Sequence, residues 1–156
     1  MTTFIQIITG FFGAFGFALL YNIKGKRLIA TAIISFMSWF LFLALGLIIS
    51  SEAIRCLIVS MIISVYAEIL ARVLKTPTTT FIITALIPLI PGASLYYTMT
   101  SALNGSIETF LKSAKETLTL ALGLALGVVI VTAATQLVSR LILVKRSQQT
   151  RHRPLP

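Results

Sequence analysis

Apolar residues in this chain gather into long unbroken runs instead of alternating with polar ones. Five such runs cover residues 4–21, 28–50, 53–74, 77–103 and 117–144. Each is long enough to cross a hydrocarbon core as an α-helix, and none shows the half-polar pattern of a surface helix in a soluble domain. No strand-like alternation and no solenoid-like period interrupts them. The pattern predicts an all-α fold, a polytopic membrane helix bundle of about five transmembrane helices. These form one transmembrane domain over residues 1–145, and residues 146–156 read as a basic, disordered cytoplasmic tail.

Composition sharpens this. Hydrophobic residues make up 57% of the 156 and charged residues only 11%, where a soluble domain carries about a quarter. The first run is not a signal peptide, because no basic stretch precedes it and "YNIKGKR" offers no small-residue cleavage site. Ten of the 13 basic residues fall on one side of a five-span arrangement: Lys24, Lys26, Arg27, Arg72, Lys75, Arg140, Lys145, Arg146, Arg151 and Arg153. The other side receives Arg55, Lys112 and Lys115. The positive-inside rule then puts the N-terminus outside and the C-terminus in the cytoplasm. Attraction to the lipid bilayer and its anionic headgroups accounts for the net charge of +9. Nucleic-acid binding is excluded, since the cations flank spans without interleaved aromatics.

The inventory of reactive side chains is short. There is one cysteine, Cys56, and one histidine, His152, too few for an intramolecular disulfide or a metal centre. The four acidic residues form no dyad, and no glycine loop for phosphates or nucleophile triad can be assembled. An enzyme is not expected, nor are catalytic residues, metal or cofactor. Cys56 reads as a small apolar residue near the outer end of the third span.

Polar positions inside the spans carry more. Ser60, Ser64, Glu68 and Arg72 recur every fourth residue and share one helix face. Glu68 lies about 9 Å inside the cytoplasmic end, where a carboxylate is costly and faces a cavity or a partner. Two readings stand side by side: Glu68 and Arg72 staple the helix end as an ion pair, or they serve gating and proton coupling. Thr31, Ser35 and Ser38 on span two, and Thr132, Thr135, Gln136 and Ser139 on span five, either bond between packed helices or line a polar path. Gly10, Gly13 and Gly16, and the pair Gly123 and Gly127, predict close approach of another backbone. Five short spans enclose little, which points to a homo-oligomer or to a missing companion.

Span four holds Pro88, Pro91 and Gly92 within five residues. Pro88 cannot donate to the carbonyl of Thr84, nor Pro91 to that of Ile87, and each proline pushes its predecessor out of helical geometry. Two half-helices meeting near the membrane midplane are predicted, an arrangement that transporters use to bind substrates. The second half-helix would aim its free N–H groups and positive dipole end at a small carboxylate-bearing substrate. The candidate substrate-binding residues are Thr84, Pro88, Pro91, Gly92, Ser94 and Tyr97.

The segment "KTPTTTFIITALIPLIPGASLYYTM" resembles the signature of the threonine/serine exporter (ThrE) family. Its specific part is the P-x-x-P-G element, Pro88, Pro91 and Gly92, followed by Tyr96. Length, span spacing, the "YNIKGKR" loop and "LARVLKTP" before span four are similar to the small YjjB-like subunit of that family over roughly residues 10–145. The resemblance implies a multi-pass protein of the bacterial inner membrane, a secondary exporter of threonine, serine or small dicarboxylates. It also implies a larger ThrE-like companion subunit. A membrane subunit that assembles or regulates without transporting is the alternative.

Overall fold

The computed structural model describes the backbone of residues 2–151 and the side chains of residue 5 and of residues 8–141. It contains six α-helices: α1 (Thr2–Leu20), α2 (Lys26–Leu45), α3 (Glu52–Val73), α4 (Thr78–Leu86), α5 (Gly92–Asn104) and α6 (Ile107–Arg151). A short 3₁₀ turn (Ile87–Leu89) follows α4. There is no strand among the described residues, and the fold is an all-α membrane helix bundle. Three helices, α2, α3 and the 107–141 part of α6, are long and apolar enough to span, and the bent pair α4–α5 makes a fourth. Of the first expected span, 4–21, the apolar stretch Ile8–Leu20 is a shorter helix, and the side chains of residues 4, 6 and 7 lie outside the described residues.

Two helix ends close in the same way. Asn22 (φ 56°) and Lys75 (φ 48°) adopt the left-handed conformation just past α1 and α3. Each lets the following N–H reach five residues back, Ile23 to the Ala18 carbonyl at 3.1 Å and Thr76 to that of Ala71 at 3.0 Å. These are Schellman-type caps, and they satisfy carbonyls that a helix end would otherwise leave bare.

The core is built on α3. Val59, Ile63 and Ala67 are fully buried and meet Ile34 of α2, Phe81 and Ala85 of α4, and Leu120 and Leu124 of α6. The α3–α6 contact is made through glycine. A β-carbon on Gly123 would stand 2.6 Å from the Ala53 carbonyl, and one on Gly127 would stand 2.7 Å from that of Leu57 and collide with the Ser60 hydroxyl. The expected close approach is therefore real on α6. It is not found along α1, where β-carbons on Gly13 and Gly16 would meet open space and one on Gly10 would only touch Trp39 and Pro88. Two steps of three turn Gly16 about 120° away from Gly10 on α1, whereas the single step of four sets Gly127 only about 40° from Gly123 on α6.

Other boundaries shift. α2 stops at Leu45, five residues before the end of the expected 28–50 run, at a hairpin where Gly46 sits beside the Arg55 guanidinium. Residues 107–116, placed by charge in an outer loop, form the first turns of α6, which continues through residues 146–151 of the expected tail. Residues 152–156, with His152 and Arg153, lie outside the described residues.

Candidate functional site

The break in the fourth pass starts from two missing donors. Pro88 has no N–H for the Thr84 carbonyl, so that oxygen is left without its helical partner in an apolar interior, where an unmet carbonyl is expensive. Ser35 of α2 reaches it at 3.2 Å, and Ser38 donates to the next carbonyl, Ala85, at 2.7 Å. Thr31, Ser35 and Ser38 are all fully buried. Their hydroxyls also lie against their own helix, on the carbonyls of Arg27, Thr31 and Ser35 at 2.8 Å each. Of the two readings left open for this stripe, packing holds and a polar path does not: the serines clamp the broken backbone from the neighbouring helix.

After the 3₁₀ turn the chain bends by 61° into α5. No side chain caps the new helix, whose first N–H, that of Gly92, bonds the Ile90 carbonyl at 2.7 Å. The Leu95 N–H then takes the Pro91 carbonyl at 2.9 Å. Of the donors expected to face a ligand, that of Gly92 is thus already engaged, which leaves Ala93 and Ser94. Nothing lies within 4 Å of a β-carbon built on Gly92.

Pro88, Pro91, Gly92 and Ser94 line one cavity of about 380 Å³ together with Trp39 and Phe42 of α2 and Glu52, Arg55 and Cys56 of α3. Thr84 and Tyr97 are not part of it. The Thr84 hydroxyl is buried and turned onto the carbonyls of Thr80 (2.9 Å) and Phe81 (3.2 Å). Tyr97 is exposed and stands edge-on to Tyr96. A larger cavity of about 690 Å³ adjoins the first, sharing Glu52 and Ser94 and adding Lys112, Lys115 and Glu116 from the first turns of α6.

Sequence reasoning missed Arg55 and Trp39 here. Arg55 counted only as an outer-side cation, yet its side chain is 14% exposed. It pairs with Glu52 at 3.4 Å and lies over the Phe42 ring, 4.7 Å from its centre. Its position three residues after Glu52 is a local signal for the ion pair. Its position opposite Pro88–Ser94 is a tertiary fact.

Glu68 and Arg72 come together at a third place. Arg72 Nη2 lies 3.5 Å from Glu68 Oε2, the carboxylate side chain 16% exposed and the guanidinium 60%. Both line a cavity of about 390 Å³ with Thr135, Gln136, Ser139 and Arg140 of α6, so the polar stripes of the third and last spans face each other. Upstream on the α3 stripe, Ser60 packs at Gly127 and donates to the Leu57 carbonyl at 2.9 Å. Ser64 Oγ is buried without a hydrogen-bond partner.

An all-α membrane bundle with one pass broken over an ionic cavity has the architecture of a transporter. The chain belongs to the threonine/serine exporter family, whose model, described as "Threonine/Serine exporter, ThrE", matches residues 6–134. The matched span takes in the whole break and the cavity beside it. No significant match exists among curated proteins, and none among solved structures.

Proposed function

We propose that this chain is the small membrane subunit of a secondary exporter for threonine, serine or small dicarboxylates, driven by an ion gradient and working with a larger ThrE-like companion. The observation that carries this reading is the uncapped start of α5, opening with Gly92 and Ser94 onto a cavity that already holds a cation. A substrate carboxylate placed there meets the positive end of the helix dipole and the N–H groups of Ala93 and Ser94. Pro88 and Pro91 keep those donors from being absorbed into a continuous helix. Tyr97 and Thr84 act at the rim and in the frame, not in the pocket. Glu68, with Arg72, is the coupling or gating carboxylate at the cytoplasmic end.

Proteoliposomes holding the chain with its companion should release threonine or succinate down an imposed proton or sodium gradient. Liposomes holding the companion alone should not. Equal flux with and without this chain overturns the reading in favour of an assembly subunit. One observation favours that second reading: α5 buries none of its residues, and Tyr96, Met99 and Leu103 stand exposed on it, a surface suited to a companion. The proposed orientation is N-terminus outside and C-terminus cytoplasmic, in a bacterial inner membrane. Cys56 is buried, so a cysteine placed at exposed Lys26 can be tested in the native background. It should stay unlabelled by an impermeant thiol reagent in intact cells, and labelling reverses the topology.

A further inference from the structure

We propose that Arg55 is the carboxylate anchor of the cavity beside the broken span, and that Glu52 is a resident placeholder which the incoming carboxylate displaces. The inference rests on the exporter reading for its biological sense but not for its test. Two residues that line the cavity, Arg55 and Trp39, each carry a buried donor, Nε and Nε1, with no hydrogen-bond partner. Buried donors are almost always satisfied, so two orphans on one cavity ask for an acceptor. Apart from Glu52, the strong polar features bordering the space are of one polarity: the Arg55 guanidinium, the Trp39 side chain with its indole N–H, and the uncapped start of α5. An arginine stays charged at any physiological pH and offers a planar fork that matches a carboxylate.

Glu52 holds this fork loosely. Its contact is long at 3.4 Å, it is made across one helical turn, and its own side chain is 62% exposed. With the carboxylate partner this exposed, solvent screens the pair and leaves it readily exchanged. Glu52 also borders the adjoining cavity, which carries the cations Lys112 and Lys115 beside Glu116. The anchoring cavity, about 380 Å³, is within the range that suits a small organic ligand.

The chain provides its own reporter, because Trp39 is its only tryptophan. The full chain in nanodiscs is titrated with L-threonine, succinate and L-threoninamide, the last lacking the carboxylate, while Trp39 emission is followed. Threonine or succinate should shift the emission saturably, and threoninamide should bind about tenfold more weakly or worse. Arg55→Gln should abolish the shift and Arg55→Lys should retain a weakened one. Glu52→Gln, an exposed change that leaves the fold alone, should bind the same carboxylate about two- to fivefold tighter, since a competitor is gone. An emission that neither carboxylate moves, or an equal response to threoninamide, overturns the anchor. Unaltered affinity in Glu52→Gln overturns the placeholder, even if Arg55→Gln proves too unstable to titrate. Binding that persists while liposomes holding the companion show equal flux with and without this chain removes the exporter reading and leaves this site standing.

Discussion

The α3–α6 pair and the α4–α5 pair meet the same requirement in opposite ways. Inside a membrane every backbone polar group needs a partner within the protein. α3 and α6 comply as unbroken helices, and glycine lets their surfaces close until Gly123 and Gly127 touch carbonyls of Ala53 and Leu57. α4 and α5 do not comply alone. Prolines strip their junction of donors. Ser35 of α2 serves the Thr84 carbonyl that Pro88 cannot, Ser38 adds a bond to that of Ala85, and the Ile90 N–H takes the Ile87 carbonyl. One pair is sealed and serves as the frame. The other is held open at a cost met by its neighbour, and beside it lies a cavity lined by two residues with unpartnered buried donors.

The comparison can be broken most severely at the sealed pair. Gly127→Leu puts a side chain where Ser60 and the Leu57 carbonyl already stand, so folded protein should be lost, with a destabilisation of about 3 kcal/mol or more. Gly13→Leu, facing open space, should leave thermal stability nearly unchanged. Membrane abundance and melting in detergent read both, and equal effects would show that α3–α6 is not the frame.

The open pair is sharpened by a double-mutant cycle. Ser35→Ala should cost about 1–3 kcal/mol, the penalty of an unmet buried carbonyl at Thr84. In a Pro88→Ala background the restored N–H can serve that carbonyl, so the same serine change should cost well under half as much. Additive costs in thermal melts would mean that Ser35 does not compensate for Pro88.

Function at the break is probed by Pro88→Ala with Pro91→Ala, which should raise helicity by circular dichroism and weaken binding of a carboxylate substrate by about tenfold. Gly92→Val should weaken binding more than Gly92→Ala while neither alters stability much, since no atom crowds that position. A Gly92→Val chain with full affinity would place the ligand elsewhere.

The smallest structural effect belongs to Glu68→Gln. Arg72 is mostly exposed, so loss of the pair should change stability by less than about 1 kcal/mol. If Glu68 couples transport to protons, flux at equal abundance should lose its pH dependence. Unchanged transport leaves Glu68 as a staple.

Much of this contrast was legible in the residues. Uninterrupted apolar runs gave the helices, and Pro88, Pro91 and Gly92 gave the break to within a residue, because proline acts through covalent geometry that no tertiary context removes. Gly123 and Gly127 were legible for a similar reason, their spacing being a property of the helix itself. Arg55 and Trp39 were not, because their meaning depends on which helices pack together, and two apolar helices carry little sign of their neighbours. Ser35 and Ser38 read as one stripe among several for the same reason. Their role appears only when Thr84 and Ala85 are set opposite them.

α6 runs without interruption from Ile107 to Arg151, bordering the cavity at Glu52 with Lys115 and the cavity at Glu68 with Gln136. Its two glycine contacts fall between these points, with about 15 Å of rigid helix on either side. That is the layout of a lever on a fulcrum. A rocking of about 10° over the glycines carries the two arms some 2.6 Å in opposite senses, on the same rise per residue. In that geometry a tilt that widened one cavity would narrow the other, with no hinge needed in the rod.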